Sequence, residues 1–190
     1  IEGRHEDVLR KMAELTAATG GSLSDFANAY KYFGLQRAGN GEWIFREFAP
    51  DATEIFLIGD FNGWHPTADY ALKDIGGGTW ELHLPAGAIK HGDLYKMLVR
   101  WPGGEGERIP AYATRVVQDP HTHIFSAQVY APKKPYTFRI KKFKPEEKPL
   151  LIYECHIGMG QEKEDVGTYE EFREKVLPRV SRDGYNAIQI

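Results

Sequence analysis

A chain of 190 residues that is 42% hydrophobic and 27% charged can bury one ordinary core and part of a second. Its 24 Lys and Arg against 27 Asp and Glu leave a net charge of -3, which disfavours a nucleic-acid partner held by phosphate neutralisation and suits a neutral ligand. No run of about 18 apolar residues is present and no charged-then-apolar leader precedes the first expected element, so no membrane association is expected and cytoplasmic residence is the default.

In chain order, residues 1–4, Ile1-Glu2-Gly3-Arg4, read as a protease-site scar and are set aside. Residues 5–40 form an N-terminal helical segment. Val8, Met12 and Leu15 recur at helical spacing before Gly20-Gly21 stops the helix. Ser22 or Ser24 then caps a second helix in which Leu23, Phe26, Ala27 and Tyr30 share a face up to Gly34. No chemistry resides in this segment.

From about residue 41 to 130 the periodicity changes to two and turn residues arrive every ten or so positions, the pattern of a β-sandwich. Ile55 to Ile58 form a short apolar strand, Gly59 to Gly63 supply turn residues, and Trp64 sits just past the strand before His65 and Pro66. An indole there is either a plug on the rim of the sandwich or a platform for a sugar ring. In Thr79 to Leu84, Trp80, Leu82 and Leu84 share the core face. In Leu94 to Trp101, Tyr95, Met97, Val99 and Trp101 face inward, which turns Lys96 and Arg100 outward. Asn62 is expected to stabilise its own turn.

Residues 131–149 hold four prolines interleaved with lysines and read as a linker. Residues 150–190 change pattern again, to a strand at Leu150 to Ile157, a helix at Thr168 to Asp183 and a strand at Tyr185 to Ile190. Thr168 and Glu171 form a capping box, Phe172, Val176 and Val180 share a face, and Pro178 is expected to kink the last turn. Such a β-α-β unit cannot cover both faces of its own parallel strands, and a terminal strand with no turn after it reads as a break inside a larger protein.

Several segments together resemble the eukaryotic-type 1,4-α-glucan branching enzymes of the α-amylase superfamily, glycoside hydrolase family 13. They are FREFAPDATEIFLIGDFNGW (Phe45 to Trp64), TWELHLP (Thr79 to Pro85), ERIPAY (Glu107 to Tyr112), LLIYECHIGM (Leu150 to Met159), TYEEFREKVLPRV (Thr168 to Val180) and GYNAIQI (Gly184 to Ile190). GDFNGW is shared with many starch-type modules, whereas YECHIGM and GYNAIQI are specific to branching enzymes. The resemblance implies a mainly β chain: an immunoglobulin-like β-sandwich of carbohydrate-binding family 48, preceded by short helices and followed by the first β-α-β unit of a truncated (β/α)8 barrel. A whole barrel takes about 250 residues. The family transfers an α-1,4-glucan segment to a 6-hydroxyl using two carboxylates about 5 to 5.5 Å apart. Those carboxylates come from later strands, so no residue here is assigned as catalytic and the chain alone is expected to be inactive.

The resemblance further implies that Trp64 stacks on glucose and that Lys96 hydrogen-bonds sugar hydroxyls, with α-1,4-glucan (glycogen, starch, malto-oligosaccharides) as partner. No cofactor and no metal are expected. Trp101 lies before the turn that precedes the usual second stacking tryptophan, and is read as structural. Glu154 and His156 share a strand face and read as a satisfied structural pair. His121 and His123 alternate without a nearby third ligand, and Cys155, the single cysteine, reads as a small buried hydrophobe consistent with a reducing compartment. Two other identities stay open: a non-catalytic glucan-binding or regulatory module, and a fragment of a glycogen debranching enzyme.

Overall fold

The computed structural model describes residues 2–140, 142–145, 147–162 and 164–190. It divides after Tyr136 into two compact units.

Helix α1 (Glu2–Thr19) opens the first unit. Gly3 and Arg4, set aside above as part of a scar, are helical, while Ile1 lies outside the described residues. Val8 and Met12 of its apolar face remain exposed. The second helix is far shorter than expected, because α2 spans only Leu23–Phe26 and a 3-10 turn follows at Ala29–Lys31. Ser22 caps it as anticipated: its hydroxyl accepts from the Asp25 amide at 3.3 Å, and the Asp25 carboxylate accepts from the Ser22 amide at 2.7 Å. The early stop has a local cause. The Asn28 side chain donates to the Asp25 carbonyl at 3.2 Å, offering that carbonyl a partner other than the next helical amide.

Nine strands follow: β1 (Gly34–Arg37), β2 (Trp43–Phe48), β3 (Glu54–Gly59), β4 (Lys73–Gly76), β5 (Thr79–Leu84), β6 (Leu94–Trp101), β7 (Gly104–Arg108), β8 (Val116–Gln118) and β9 (Phe125–Gln128). They make two antiparallel sheets, one ordered β1-β2-β5-β4 and the other β3-β6-β9-β8. Strand β6 pairs with β3 along one edge. Its other edge is divided, with Leu94 and Tyr95 opposite β9 and Met97 to Trp101 opposite β7.

The expected alternation holds. Trp80, Leu82 and Leu84 of β5 and Tyr95 and Met97 of β6 meet Trp43, Phe45, Ile55, Leu57 and Ala127 in one core. Trp80 satisfies its indole N–H on the Ala49 carbonyl at 3.0 Å, as a buried tryptophan requires. Glu47 is the one charged residue buried among the described residues, at 5% exposure. Its carboxylate accepts from the Phe48 amide at 3.2 Å and the Ala111 amide at 3.1 Å, tying β2 to the chain beyond β7. Burial pushes the Glu47 carboxyl above its usual value, and the two amides only partly offset this.

In the second unit, β10 (Ile152–Glu154) pairs in parallel with β11 (Ala187–Gln189), placing Tyr153 opposite Ile188. The intervening helix begins where Thr168 and Glu171 cap each other. It starts as α3 (Tyr169–Glu171), widens to a π-helical turn at Phe172–Val176 and ends as α4 (Leu177–Arg182). Pro178 has no N–H to donate to the preceding turn, and the π-helical turn lies immediately upstream of it. Phe172, Val176 and Val180 pack with Ile157, and Tyr153, Cys155 and Ile188 lie against them. Glu154 and His156 fall on the other side of the strand and are exposed, so they are not the satisfied pair expected from the sequence.

Candidate functional site

The turn after β3 is built by its own side chains. The Asn62 carbonyl oxygen accepts from the Gly59 amide and its amide group donates to the Leu57 carbonyl, both at 2.9 Å, so Asn62 serves its turn as expected. Gly59 must be glycine, because a Cβ there would collide with the Leu94 carbonyl oxygen. Gly63 and Trp64 then adopt left-handed backbones in succession, with φ of 62° and 64°. For a non-glycine residue this conformation costs roughly 1–2 kcal/mol.

Trp64 is half-buried, its amide donates to the Gly59 carbonyl at 2.9 Å, and its indole is held from below. The indole N–H donates to Asp60 Oδ1 at 3.1 Å, while Asp60 Oδ2 accepts from the Leu94 amide at 2.7 Å. One carboxylate thus ties the tryptophan ring to the first residue of β6.

Asp60 also forms part of the wall of a cavity of about 400 Å³, with Leu94, Arg115, Gln118, Asp119 and Gln128 among the other lining residues. Leu94 and Gln128 flank the inward Tyr95 and Ala127, so this cavity lies on the outward face of its sheet. His123 is the other non-glycine residue with a left-handed backbone among the described residues, at φ 59°. It belongs to the loop between β8 and β9 that supplies Asp119 and Ile124 to the cavity wall. Its amide donates to the Asp119 carbonyl and its carbonyl accepts from the Gln118 side chain, both at 2.9 Å. The amides of Thr122 and His121 hold the Asp119 carboxyl below the usual aspartate value. Both strained positions therefore lie in loops that border one polar cavity. Sequence reasoning missed Asp60 and the 118–124 loop; the turn composition of Asp119 to His123 was the one signal pointing there.

Lys96 does point outward from β6, opposite Ile58, but it is not solvated. Its ammonium group donates to Glu107 Oε2 on β7 at 2.8 Å, and its side chain is only 14% exposed. Trp64 and Lys96 thus belong to the same end of the β3–β6 pair, and Lys96 is held toward β7. Trp101 lies against Gly104, whose hypothetical Cβ would sit 3.2 Å from its ring, with the Arg108 guanidinium 5.4 Å from the ring centroid. Among the described residues no three His, Cys, Asp or Glu side chains converge as metal ligands.

A two-sheet antiparallel sandwich that holds a strained, carboxylate-braced tryptophan beside a polar cavity on one face has the form of a small binding module. Residues 32–122 match the family Carbohydrate-binding module 48 (Isoamylase N-terminal domain). The whole chain is 36% identical to a 1,4-alpha-glucan-branching enzyme of Dictyostelium discoideum, and 90% of it is 41% identical to one of Aspergillus oryzae. An Arabidopsis thaliana relative, 36% identical over the whole chain, is 1,4-alpha-glucan-branching enzyme 2-2, chloroplastic/amyloplastic. Residues 32–122 are therefore similar to carbohydrate-binding module family 48, and the chain is similar along its length to part of the 1,4-alpha-glucan-branching enzymes. It spans about a quarter of the length of these relatives, 28%, 26% and 24% respectively.

Solved structures agree on the fold. The catalytic module of the multi-modular glycogen-degrading pneumococcal virulence factor SpuA matches 85% of this chain with 27% of its own, at TM-score 0.59 and 21% identity. The Group B Streptococcus pullulanase SAP matches 83% of this chain with 23% of its own, at TM-score 0.61 and 20% identity.

Proposed function

We propose that this chain is the glucan-holding part of a 1,4-α-glucan-branching enzyme, whose other portions transfer an α-1,4 segment to a 6-hydroxyl in glycogen synthesis. In this reading residues 5–40 are a helical lead-in, 41–130 the binding sandwich, 131–149 a linker and 150–190 the start of a catalytic barrel. The chain alone binds α-glucan without cleaving it, and the parent is cytoplasmic. The observation that carries the binding role is the placement of Trp64 and His123. Backbone strain persists where surrounding structure over-determines it, and such sites cluster at ligand clamps. Here the two strained loops border one polar cavity, and one of them presents an indole.

Trp64 supplies a flat ring face for a glucose unit, and the polar wall supplies partners for its hydroxyls. Lys96 joins them by exchanging its bond to Glu107 for a sugar hydroxyl. A single ring binds weakly, so long glucans that engage several modules or sites at once are the fitting ligands.

The test has two arms. Titration of the 190-residue chain with maltoheptaose should show binding that Trp64→Ala weakens; equal affinity in both would end the binding assignment. The product of the complete reading frame should lower the iodine staining of amylose, and unchanged staining would end the branching assignment.

A further inference from the structure

Asp60 is an exposed side chain whose two carboxylate oxygens are both engaged, one by the Trp64 indole and the other by the Leu94 amide. We infer that Asp60 is the positioning residue of the sugar platform, fixing the plane of the Trp64 ring before any glucan arrives; this rests on the reading of Trp64 as that platform.

The local geometry requires such a brace. Trp64 follows Gly63, both left-handed, so its backbone is set by the turn, but the ring beyond it retains two side-chain torsions. The hydrogen bonds of Asn62 and of the Trp64 amide fix the backbone and leave the ring untouched. Only the Asp60 bond, among those described for Trp64, acts on the ring itself. Because the acceptor is a carboxylate the bond is charge-assisted, and stronger than a neutral one of the same length. A ring ordered in advance does not incur the ordering cost that a freely rotating side chain meets on binding.

Two consequences follow from the bond pattern. The indole N–H is consumed by Asp60, so Trp64 recognises sugar through its ring face and offers no hydrogen bond to a hydroxyl. Asp60 also fixes the platform relative to β6, because its second oxygen holds the amide of Leu94, two residues before Lys96. The platform and the outward face of the sheet therefore move as one piece.

The experiment compares maltoheptaose affinity, melting temperature and the indole N–H nuclear magnetic resonance of Trp64 in the 190-residue chain and its variants. Asp60→Ala should weaken binding about three- to tenfold. It should also shift the Trp64 indole resonance and speed its exchange with solvent, a signature that loss of general stability elsewhere would not produce selectively. Asp60→Asn keeps one acceptor oxygen, should show a smaller loss, and decides the matter if the alanine variant does not fold. In a Trp64→Phe background, which keeps a ring but has no N–H, Asp60→Ala should cost little further affinity. An undiminished loss there would mean that Asp60 touches the glucan directly, and would overturn the positioning role. Wild-type affinity in both Asp60 variants, with weak binding by Trp64→Ala, would also overturn it while leaving the platform standing. Wild-type affinity in Trp64→Ala would remove the platform itself.

Discussion

Replacing Trp64 by either alanine or glycine separates its two properties, the ring and the left-handed backbone. The partly buried ring, no more than about a third exposed, leaves at most about 70 Å² of a ~200 Å² indole for a sugar, which at ~25 cal/mol/Å² bounds its contribution at about 1.8 kcal/mol. Because Asp60 already orders the ring, most of this survives on binding, roughly 1–1.8 kcal/mol, so both variants should bind maltoheptaose about 5- to 20-fold more weakly. Their stabilities should differ in an unusual direction. Both lose the covered part of the ring and the bond to Asp60. At φ 64°, however, alanine retains the left-handed penalty and glycine does not. Trp64→Gly should therefore be more stable than Trp64→Ala by about 1 kcal/mol, or roughly 2–4 °C in melting temperature. Isothermal titration and scanning calorimetry on the same samples read both quantities. An alanine variant that melts above the glycine variant would refute the backbone argument; a large fall in melting temperature with unchanged affinity would show the ring to be a plug.

Two further expectations concern the sandwich. Burial raises the Glu47 carboxyl above its usual value of 4.5, so ionisation is less favourable folded than unfolded. Its contribution to stability is greatest below pH 4.5 and is lost as pH rises through the folded value. Urea unfolding of wild type and Glu47→Gln from about pH 4 to about pH 7 should show wild type losing ground to the variant as pH rises, and parallel curves would contradict it. Trp80→Ala removes a ring that is 8% exposed and leaves the Ala49 carbonyl without its indole donor, at a cost of about 3–5 kcal/mol. Its melting temperature should fall by roughly 6–20 °C, whereas a fall of only a degree or two would mean that the core relaxes around the gap.

The parts of the fold legible in the sequence are those encoded by neighbours along the chain. Alternation placed Trp80, Leu82, Tyr95 and Met97 in the core, and Thr168 with Glu171 announced the capped helix of the second unit. Asn62 was readable for the same reason, since its partners lie within five residues. What the sequence concealed depends on residues brought together by the sheet. Lys96 meets Glu107 only because β6 and β7 pair, and Asp60 meets Leu94 only because β3 and β6 do. Composition gives no warning that a tryptophan or a histidine will adopt a left-handed backbone, because that choice is imposed by the loop around it. The short α2 was missed because the helical pattern of Leu23, Phe26 and Tyr30 says nothing about the competing bond from Asn28.

The divided edge of β6 has a consequence for how such a module diversifies. Lys96 stands at the changeover, with β9 bonded to the residues before it and β7 to those after it. The β6–β7 hairpin can therefore lengthen, shorten or be exchanged without shifting the register of β8 and β9. New ligand preferences can arise at one rim of the sandwich while the other rim, with its cavity, is inherited intact.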